Sequence, residues 1–205
     1  FPRYKLLGRI TAQLFNRLAA IGVQDEIYGE KYMALGVDPE KIHLTGMLKF
    51  ESIDVADAVE GQDELAAAMG LSENAPLLVA GGTGSGEEEI LLDCWETLKE
   101  DHNTLRLAIV PRKPERFDDV ARLITSRGHD LLRRSLRPDG CAEPTPEQCV
   151  ILGDTMGELK KFYALATVAF VGRALVPMGG SDMIEAAALR KPTCFGPHTF
   201  NFPQT

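Results

Sequence analysis

The sequence predicts a globular α/β protein built on a parallel β-sheet with helices on both faces. From Gln62 onward, short apolar segments typical of buried strands alternate with longer segments that have helical periodicity. Parallel strands need crossover connections, so this alternation places helices on both faces of one sheet. The 205 residues, of which 44% are hydrophobic, can bury one full core and part of a second.

The first part of the chain predicts elements that are separate from this sheet. Four apolar residues at helical spacing predict a first helix: Leu7, Ile10, Leu14 and Leu18. A short apolar piece (21–23), a helix that stops at Gly36 and a strand KIHLTG (41–46) follow. Because the sequence begins within a helical pattern, we expect it to be a fragment of a longer protein. The acidic segment 51–61 lacks strong apolar periodicity and predicts a linker.

The remaining elements are predicted from alternating patterns. Strands are predicted at 77–81, 105–110, 149–153, 167–172 and 192–196. Helices are predicted at about 87–100, 114–126, 157–166 and 182–189. Ligands of such sheets collect outside the carboxyl ends of strands, in the loops that lead into helices. Four loops qualify: GGTGSGEEE (81–89), PRKPER (111–116), GDTMGEL (153–159) and 171–185.

Composition excludes several classes of function. The net charge of −8 and the absence of a Lys/Arg stripe argue against nucleic-acid binding. Arg133, Arg134 and Arg137 form the densest basic cluster, which we expect to be a solvated edge. The four cysteines lack a CxxC pair and the four histidines lack ligand spacing, so we expect a reduced protein with no metal site. No apolar run of this sequence reaches transmembrane length, and its first residues do not follow the pattern of a signal peptide.

The glycine-rich loop 81–86 does not fit a phosphate-binding P-loop. Glu87 stands where that motif requires Lys, and the acids in the first helical turn would repel a triphosphate. Two interpretations stay open. The loop is flexible, with Glu87 and Glu88 complementing the helix dipole, or its backbone contacts a ligand.

The next two loops offer an anion site and a surface for a flat ring. Pro111 and Pro114 restrict the backbone around Arg112, which favours anion binding by this guanidinium over a role as surface charge. In GDTMGEL, Asp154 or Thr155 is expected to cap a helix, and Met156 could lie under a nucleotide base.

The last loop predicts a nucleotide-sugar pocket in outline. Gly179 and Gly180 allow close backbone approach, and their N–H groups could meet a ligand. Glu185 follows within apolar surroundings, MIEAAAL, which favours a buried-facing acid that accepts hydrogen bonds from ribose hydroxyls.

Six segments taken together resemble one enzyme family. They are TGMLKFE (45–51), GGTGSGEEE, PRKPER, GDTMGEL, FVGRALVPMGG (170–180) and IEAAALRKPTCFGPHTFNF (184–202). Their order, which ends in GPHTFNF, resembles that of the 3-deoxy-D-manno-octulosonic acid (Kdo) transferases of lipopolysaccharide synthesis. The resemblance spans nearly the whole chain.

The resemblance implies a GT-B fold, in which two Rossmann-like domains face a cleft. It implies an inverting transfer of Kdo from CMP-Kdo to the lipid A precursor, without Mg²⁺ or another cofactor. Residues 1–50 would end the N-terminal acceptor domain, 51–61 would link the domains, and 62–205 would form most of the donor-binding domain. The preceding part would carry a membrane anchor and the catalytic Glu base. The full-length protein would then lie at the cytoplasmic face of the inner membrane, and this soluble fragment alone would be inactive.

The resemblance also implies site residues. Arg112, with Lys113, would bind the donor phosphate or the Kdo carboxylate, and Glu185 would bind the ribose. The loop around the cytidine and phosphate would contribute Gly153, Thr155, Met156 and Gly157. The same rim would include Gly179, Gly180, Ser181 and Asp182, with Lys49, Thr83 and Arg173 as further candidates.

The chain departs from the family's usual motifs on this rim. The differing positions are Gly82, Thr83, Gly84, Lys113, Arg173, Ala174, Ser181, Asp182 and Ala186. Asp182 adds negative charge near an anionic donor, and Arg173 could compensate for it. Two alternatives stay open: another GT-B transferase that uses a UDP-sugar, and a diverged member that binds a nucleotide sugar without transferring it.

Overall fold

The computed structural model describes residues 4, 6–46, 55–72, 75–141, 145–146, 148–203 and 205. The chain divides into two compact units, Phe1–Asp54 and Val55–Thr205. The boundary falls within the segment 51–61 that the sequence predicts as a linker, of which 51–54 lie outside the described residues. Within the described ranges, every helix is too short or too polar to cross a membrane.

The described residues of the smaller unit form two helices and a two-stranded parallel sheet. Its elements are α1 (Gly8–Phe15), β1 (Ile21–Val23), α2 (Glu26–Ala34), a 3₁₀ turn (Pro39–Lys41) and β2 (Ile42–Leu44). The side chain of Asp25 accepts a hydrogen bond from the N–H of Tyr28 and so caps α2. Phe15 and Tyr32 meet edge to face, with 5.1 Å between ring centroids, beside the buried Ile21.

The larger unit contains a six-stranded sheet. Its strands are β3 (Leu77–Thr83), β4 (Arg106–Pro111), β5 (Leu131–Arg133), β6 (Val150–Leu152), β7 (Val168–Val171) and β8 (Thr193–Phe195). Its helices are α3 (Gln62–Ala68), α4 (Glu87–Asp101), α5 (Phe117–Ser126), α6 (Leu159–Leu165) and α7 (Ile184–Ala187). The strands are all parallel and lie in the order β5-β6-β4-β3-β7-β8.

Strand alternation divides the core into two layers. Val79 and the residues on its side of the sheet pack against α3 and α6, with Met69 and Phe162 fully buried. Ala80 and the residues on the other side pack against α4 and α5, where Trp95 is fully buried. The predicted parallel sheet with helices on both faces is confirmed. Every residue of β3 is buried, as expected for a strand that is covered on both sides.

Two short elements of the larger unit are not predicted from the sequence. β5 has only three residues, and α3 has an acidic first turn and an alanine-rich end with little apolar periodicity. The predicted helix 114–126 begins as a 3₁₀ turn, Pro114–Arg116, before α5. A strand of three residues and a helix of seven carry too few residues to show a clear period.

The arginine cluster is not the solvated edge that the sequence predicts. Arg134 and Arg137 are only 7% and 8% exposed. Arg134 pairs with Glu158, with 2.9 Å between Nη2 and Oε1, and Arg133 pairs with Asp154, with 2.6 Å between Nε and Oδ2. The prediction was wrong because Asp154 and Glu158, which pair with Arg133 and Arg134, lie 21 and 24 residues away in the chain and meet these arginines only in the folded sheet.

Candidate functional site

The carboxyl ends of the central strands form the natural ligand position in this sheet. The chain leaves β3 toward β4 on one side, and later returns to place β7 on the other side of β3. Such a reversal leaves a crevice between the loops that follow the two strands, where ligands of doubly wound sheets bind. The four loops singled out in the sequence follow β3, β4, β6 and β7, so the structure brings all of them to one edge of the sheet.

The buried hydroxyl of Tyr163 lies beside β3 at this edge of the sheet. Tyr163 is buried in α6, and its Oη lies so close to Gly81 in β3 that a Cβ at Gly81 would overlap it. Burial raises the pKa of Tyr163, the negative charges of Glu185 and Asp182 raise it further, and the positive charge of Arg112 lowers it. Candidate side chains from two loops, the one after β4 and the one after β7, therefore lie within electrostatic range of one hydroxyl. The sequence analysis missed Tyr163 because its apolar, helical surroundings predict only a core position.

Arg112 and Lys113 are accessible to a ligand, whereas Arg116 is not. The N–H of Arg112 donates to the carbonyl of Thr83 at 3.1 Å, which fixes the backbone at the end of β4 against β3. The side chains of Arg112 and Lys113 are exposed. Arg116 instead donates two hydrogen bonds to the buried Glu88, one of them 3.0 Å between Nη2 and Oε2. This ion pair raises the pKa of the Arg116 guanidinium through the hydrogen bond to Glu88.

The loop after β3 is fastened by the two acids that follow it. Thr83 is buried, and its hydroxyl donates to Oε1 of Glu88 at 2.8 Å. Oε2 of Glu87 accepts a hydrogen bond of 2.8 Å from the N–H of Gly84. Glu87 and Glu88 are both buried in the first turn of α4 and hold the loop through these hydrogen bonds. The hydroxyl of Thr83 is occupied within the protein.

The loop after β6 differs from its predicted capping. Asp154 accepts hydrogen bonds from Arg133 and from the N–H of Ser135, at 2.6 and 2.8 Å, and therefore anchors the segment after β5. The hydroxyl of Thr155 donates to Glu158. Helix α6 begins after Glu158 without a side-chain cap. The capping prediction was wrong because Asp154 is bonded to Arg133 and Ser135, and Thr155 is bonded to Glu158.

The tip of the same loop is open to solvent. Met156 is 69% exposed, and Gly157 is exposed with a left-handed φ of +84°. Gly153 is buried at the base of the loop against Val110 and Phe162. The thioether of Met156 is thus exposed, and Gly153 packs at the base of the loop; a contact between Met156 and a flat ring stays a prediction.

The glycine pair in the loop after β7 is covered by the chain's last segment. Gly179 has a left-handed φ of +92°, and the position that a Cβ would occupy there is taken by the side chain of Asn201. The N–H of Gly180 donates to the carbonyl of Arg173 at 2.7 Å. The prediction that a ligand meets the Gly180 N–H is therefore wrong, because this group already closes the loop.

The remaining candidates of this loop have mixed surroundings. Asp182 accepts a hydrogen bond of 3.0 Å from the N–H of Ile184, which starts α7. Ser181 is half-buried, with its hydroxyl close to Gly82. The half-buried Arg173 has a left-handed φ of +63°. Lys49 lies outside the described residues.

Glu185 faces solvent rather than the protein interior. Met183 and Ala186 fill the inward positions beside it, and Glu185 between them is exposed. The predicted buried-facing acid is therefore wrong, because Met183 and Ala186, three residues apart, take the inward face of this helical turn and leave Glu185 on the outward face. An exposed carboxylate at this edge remains accessible to the hydroxyls of a ligand.

Comparisons with known proteins place this arrangement in a family. A family model described as 3-deoxy-D-manno-octulosonic-acid transferase (kdotransferase) matches residues 1–52. The crystal structure of the C-terminal CMP-Kdo binding domain of WaaA from Acinetobacter baumannii is similar over 70% of this chain and 72% of that chain, with a TM-score of 0.61 and 34% identity. The chain belongs to the Kdo transferase family. The resemblance inferred from the motifs is thereby confirmed.

The Kdo transferase relatives are longer than this chain. A 3-deoxy-D-manno-octulosonic acid transferase of Haemophilus influenzae is 36% identical over 200 residues, which cover 96% of this chain and 45% of that protein. The chain thus spans about half the length of the curated relatives it matches. HepE of Anabaena, solved with UDP and glucose, is similar over 100% of this chain and 53% of its own, with a TM-score of 0.50 and 12% identity. This second structural match supports the Rossmann-like α/β fold expected of a GT-B Kdo transferase.

Proposed function

We propose that this chain supplies the donor-binding part of an inverting glycosyltransferase that moves Kdo from CMP-Kdo to the lipid A precursor in lipopolysaccharide synthesis. The observation that carries the proposal is the 34% identity and common fold with a domain described as CMP-Kdo binding. The convergence of candidate side chains from four loops at one edge of the sheet supports it. The proposed reaction uses no metal or cofactor, and its donor is a CMP-sugar.

The accessible candidates match the chemical parts of such a donor. The exposed guanidinium of Arg112, with Lys113 beside it, suits a phosphate or a sugar carboxylate. The exposed carboxylate of Glu185 suits the vicinal hydroxyls of a ribose. The thioether of Met156 offers a polarizable surface to the cytosine ring.

The proposed chemistry is a displacement at the anomeric carbon of Kdo. The bond between this carbon and the phosphate oxygen breaks, and a bond to a hydroxyl oxygen of the acceptor forms on the opposite face. A carboxylate removes the proton of the attacking hydroxyl, and we assign this base to another part of the protein. The departing CMP takes the electron pair of the broken bond, and Arg112 stabilises the added negative charge. Since the proposed acceptor is a lipid, we further propose that the full-length protein acts at the cytoplasmic face of the inner membrane.

A transfer assay tests the proposal on the full-length protein. Incubation with CMP-Kdo and lipid A precursor should give a product heavier by one or more Kdo residues, detected by mass spectrometry. The Arg112→Ala variant should lose most of this activity, since it removes a charge-assisted contact to the leaving group. Lys99→Ala, which removes a lysine from α4, serves as the control. Saturable CMP binding without any transfer would contradict the proposal and indicate a member that binds without catalysing.

A further inference from the structure

Glu87 occupies a site made entirely of backbone amides. This residue is fully buried at the start of α4. Its carboxylate accepts hydrogen bonds from the N–H of Gly84 at 2.8 Å, and from the N–H groups of three consecutive residues, Arg173, Ala174 and Leu175, at 2.5, 2.8 and 2.9 Å. One carboxylate thus joins the loop after β3 to the loop after β7.

The three consecutive amides form an anion-binding nest. Arg173 has a left-handed φ of +63°, which turns successive N–H groups toward one point. Concavities of this kind bind phosphate or other anions in many proteins. Here the chain supplies the anion from its own helix, so the nest is already filled before any ligand arrives.

The carbonyl groups of Arg173 and Ala174 hold the glycine pair and the segment after β8. The carbonyl of Arg173 accepts the N–H of Gly180 at 2.7 Å, and the carbonyl of Ala174 accepts the N–H of His198 at 2.9 Å. The glycine pair and the GPHTFNF segment are therefore both attached to backbone that Glu87 fixes from the other side. Helix α7 with Glu185 follows the glycine pair within five residues.

We propose that Glu87 is a positioning residue for the nucleotide-sugar donor. By filling the amide nest, the Glu87 carboxylate fixes the position of the loop after β7. This position lets the residues at the end of the loop contact the ligand. Glu87 itself is too buried to touch the donor, so it acts through the backbone of residues 173–175. The role rests on the proposed function, because only a ligand at this edge makes the loop position matter.

Removal of the carboxylate tests the proposal in two independent readouts. Glu87→Ala should speed hydrogen exchange at the amides of Gly84 and of residues 173–175, since they lose their acceptor. It should also weaken CMP binding roughly tenfold, the effect of one misplaced hydrogen-bonded contact. Glu89→Ala is the matched control, because Glu89 is exposed in the same helical turn and should change neither quantity.

Chemical rescue distinguishes an anion in a nest from a general packing role. Acetate, but not chloride at equal ionic strength, should restore part of the amide protection and part of the CMP affinity in Glu87→Ala. If that variant does not fold, Glu87→Gln keeps the side-chain volume and replaces one acceptor oxygen with a donor, so it should show the same two losses.

Three results would overturn the proposal. Unchanged exchange at the four amides in both variants would show that Glu87 does not hold the nest. Faster exchange with unchanged CMP affinity would remove the positioning role while leaving the proposed function in place. Failure of the unaltered chain to bind CMP would remove the proposed function, and the positioning role with it, although the exchange result would still stand.

Discussion

At the scale of single residues, the buried charged side chains stabilise the loops through hydrogen bonds within the protein. The exposed ones are the candidates for ligand contact. Glu87 and Glu88 are buried and bonded within the protein, whereas Arg112, Met156 and Glu185 are exposed at the same edge of the sheet. Charged residues are buried only where they are paired, so exposure separates the two groups by function.

The exposure of Glu185 leads to a direct test of ribose binding. Glu185→Ala should weaken CMP binding by about 1–3 kcal/mol, because the ribose hydroxyls would lose a charged acceptor. Calorimetric titration with CMP measures this loss. Glu100→Ala removes an exposed acid from the C-terminal end of α4, away from this edge, and should leave the affinity unchanged. Equal CMP affinity in Glu185→Ala and the unaltered chain would exclude the ribose contact.

At the scale of elements, buried ion pairs join segments that are distant in sequence. Arg134 follows β5 and Glu158 precedes α6, and two hydrogen bonds of 2.9 Å connect their side chains. The hydrogen bonds from Arg134 hold the pKa of Glu158 below its ordinary value of 4.5, although burial acts in the opposite direction. The pair therefore links the end of β5 to the loop that carries Met156.

The lowered pKa of Glu158 predicts an acid-dependent part of the stability. A carboxyl whose pKa is lower in the folded than in the unfolded state stabilises the fold above its unfolded pKa. This stabilisation is lost as the pH falls through the folded pKa. Urea unfolding should show Glu158→Gln less stable than the unaltered chain at neutral pH, with a difference that shrinks below pH 4.5. A difference that stays constant across this range would contradict the role of the charge, and Glu89→Gln should show no difference at any pH.

The same elements show what sequence patterns can and cannot predict. Long strands such as β3 and long helices such as α4 carry enough residues to display their period, and both are predicted correctly. The three-residue β5 is not predicted, because it is too short to show a period. The pairing of Arg133 with Asp154 and of Arg134 with Glu158 is not predicted either, because these partners are distant in sequence. In the site, the loops are predicted by their place after strands, but the occupied N–H of Gly180 and the outward direction of Glu185 follow from tertiary contacts.

At the scale of the larger unit, the parallel sheet explains why these residues meet at all. All six strands run in one direction, so the loops that follow β3, β4, β6 and β7 share one edge. Ligands of such sheets bind where the strand order reverses, here beside β3, and Arg112 and Glu185 both lie close enough to this point to shift the pKa of Tyr163. Glu87 then fixes two of the four loops to each other.

The central claim is that this edge binds a CMP-sugar. Calorimetric titration of the chain with CMP, CMP-Kdo and UDP-glucose tests it most directly, since it needs neither acceptor nor transfer. We expect saturable binding of CMP and CMP-Kdo with one site per chain, and no binding of UDP-glucose at the same concentrations. Binding of UDP-glucose in preference to both cytidine ligands would contradict the account and favour a transferase that uses UDP-sugars.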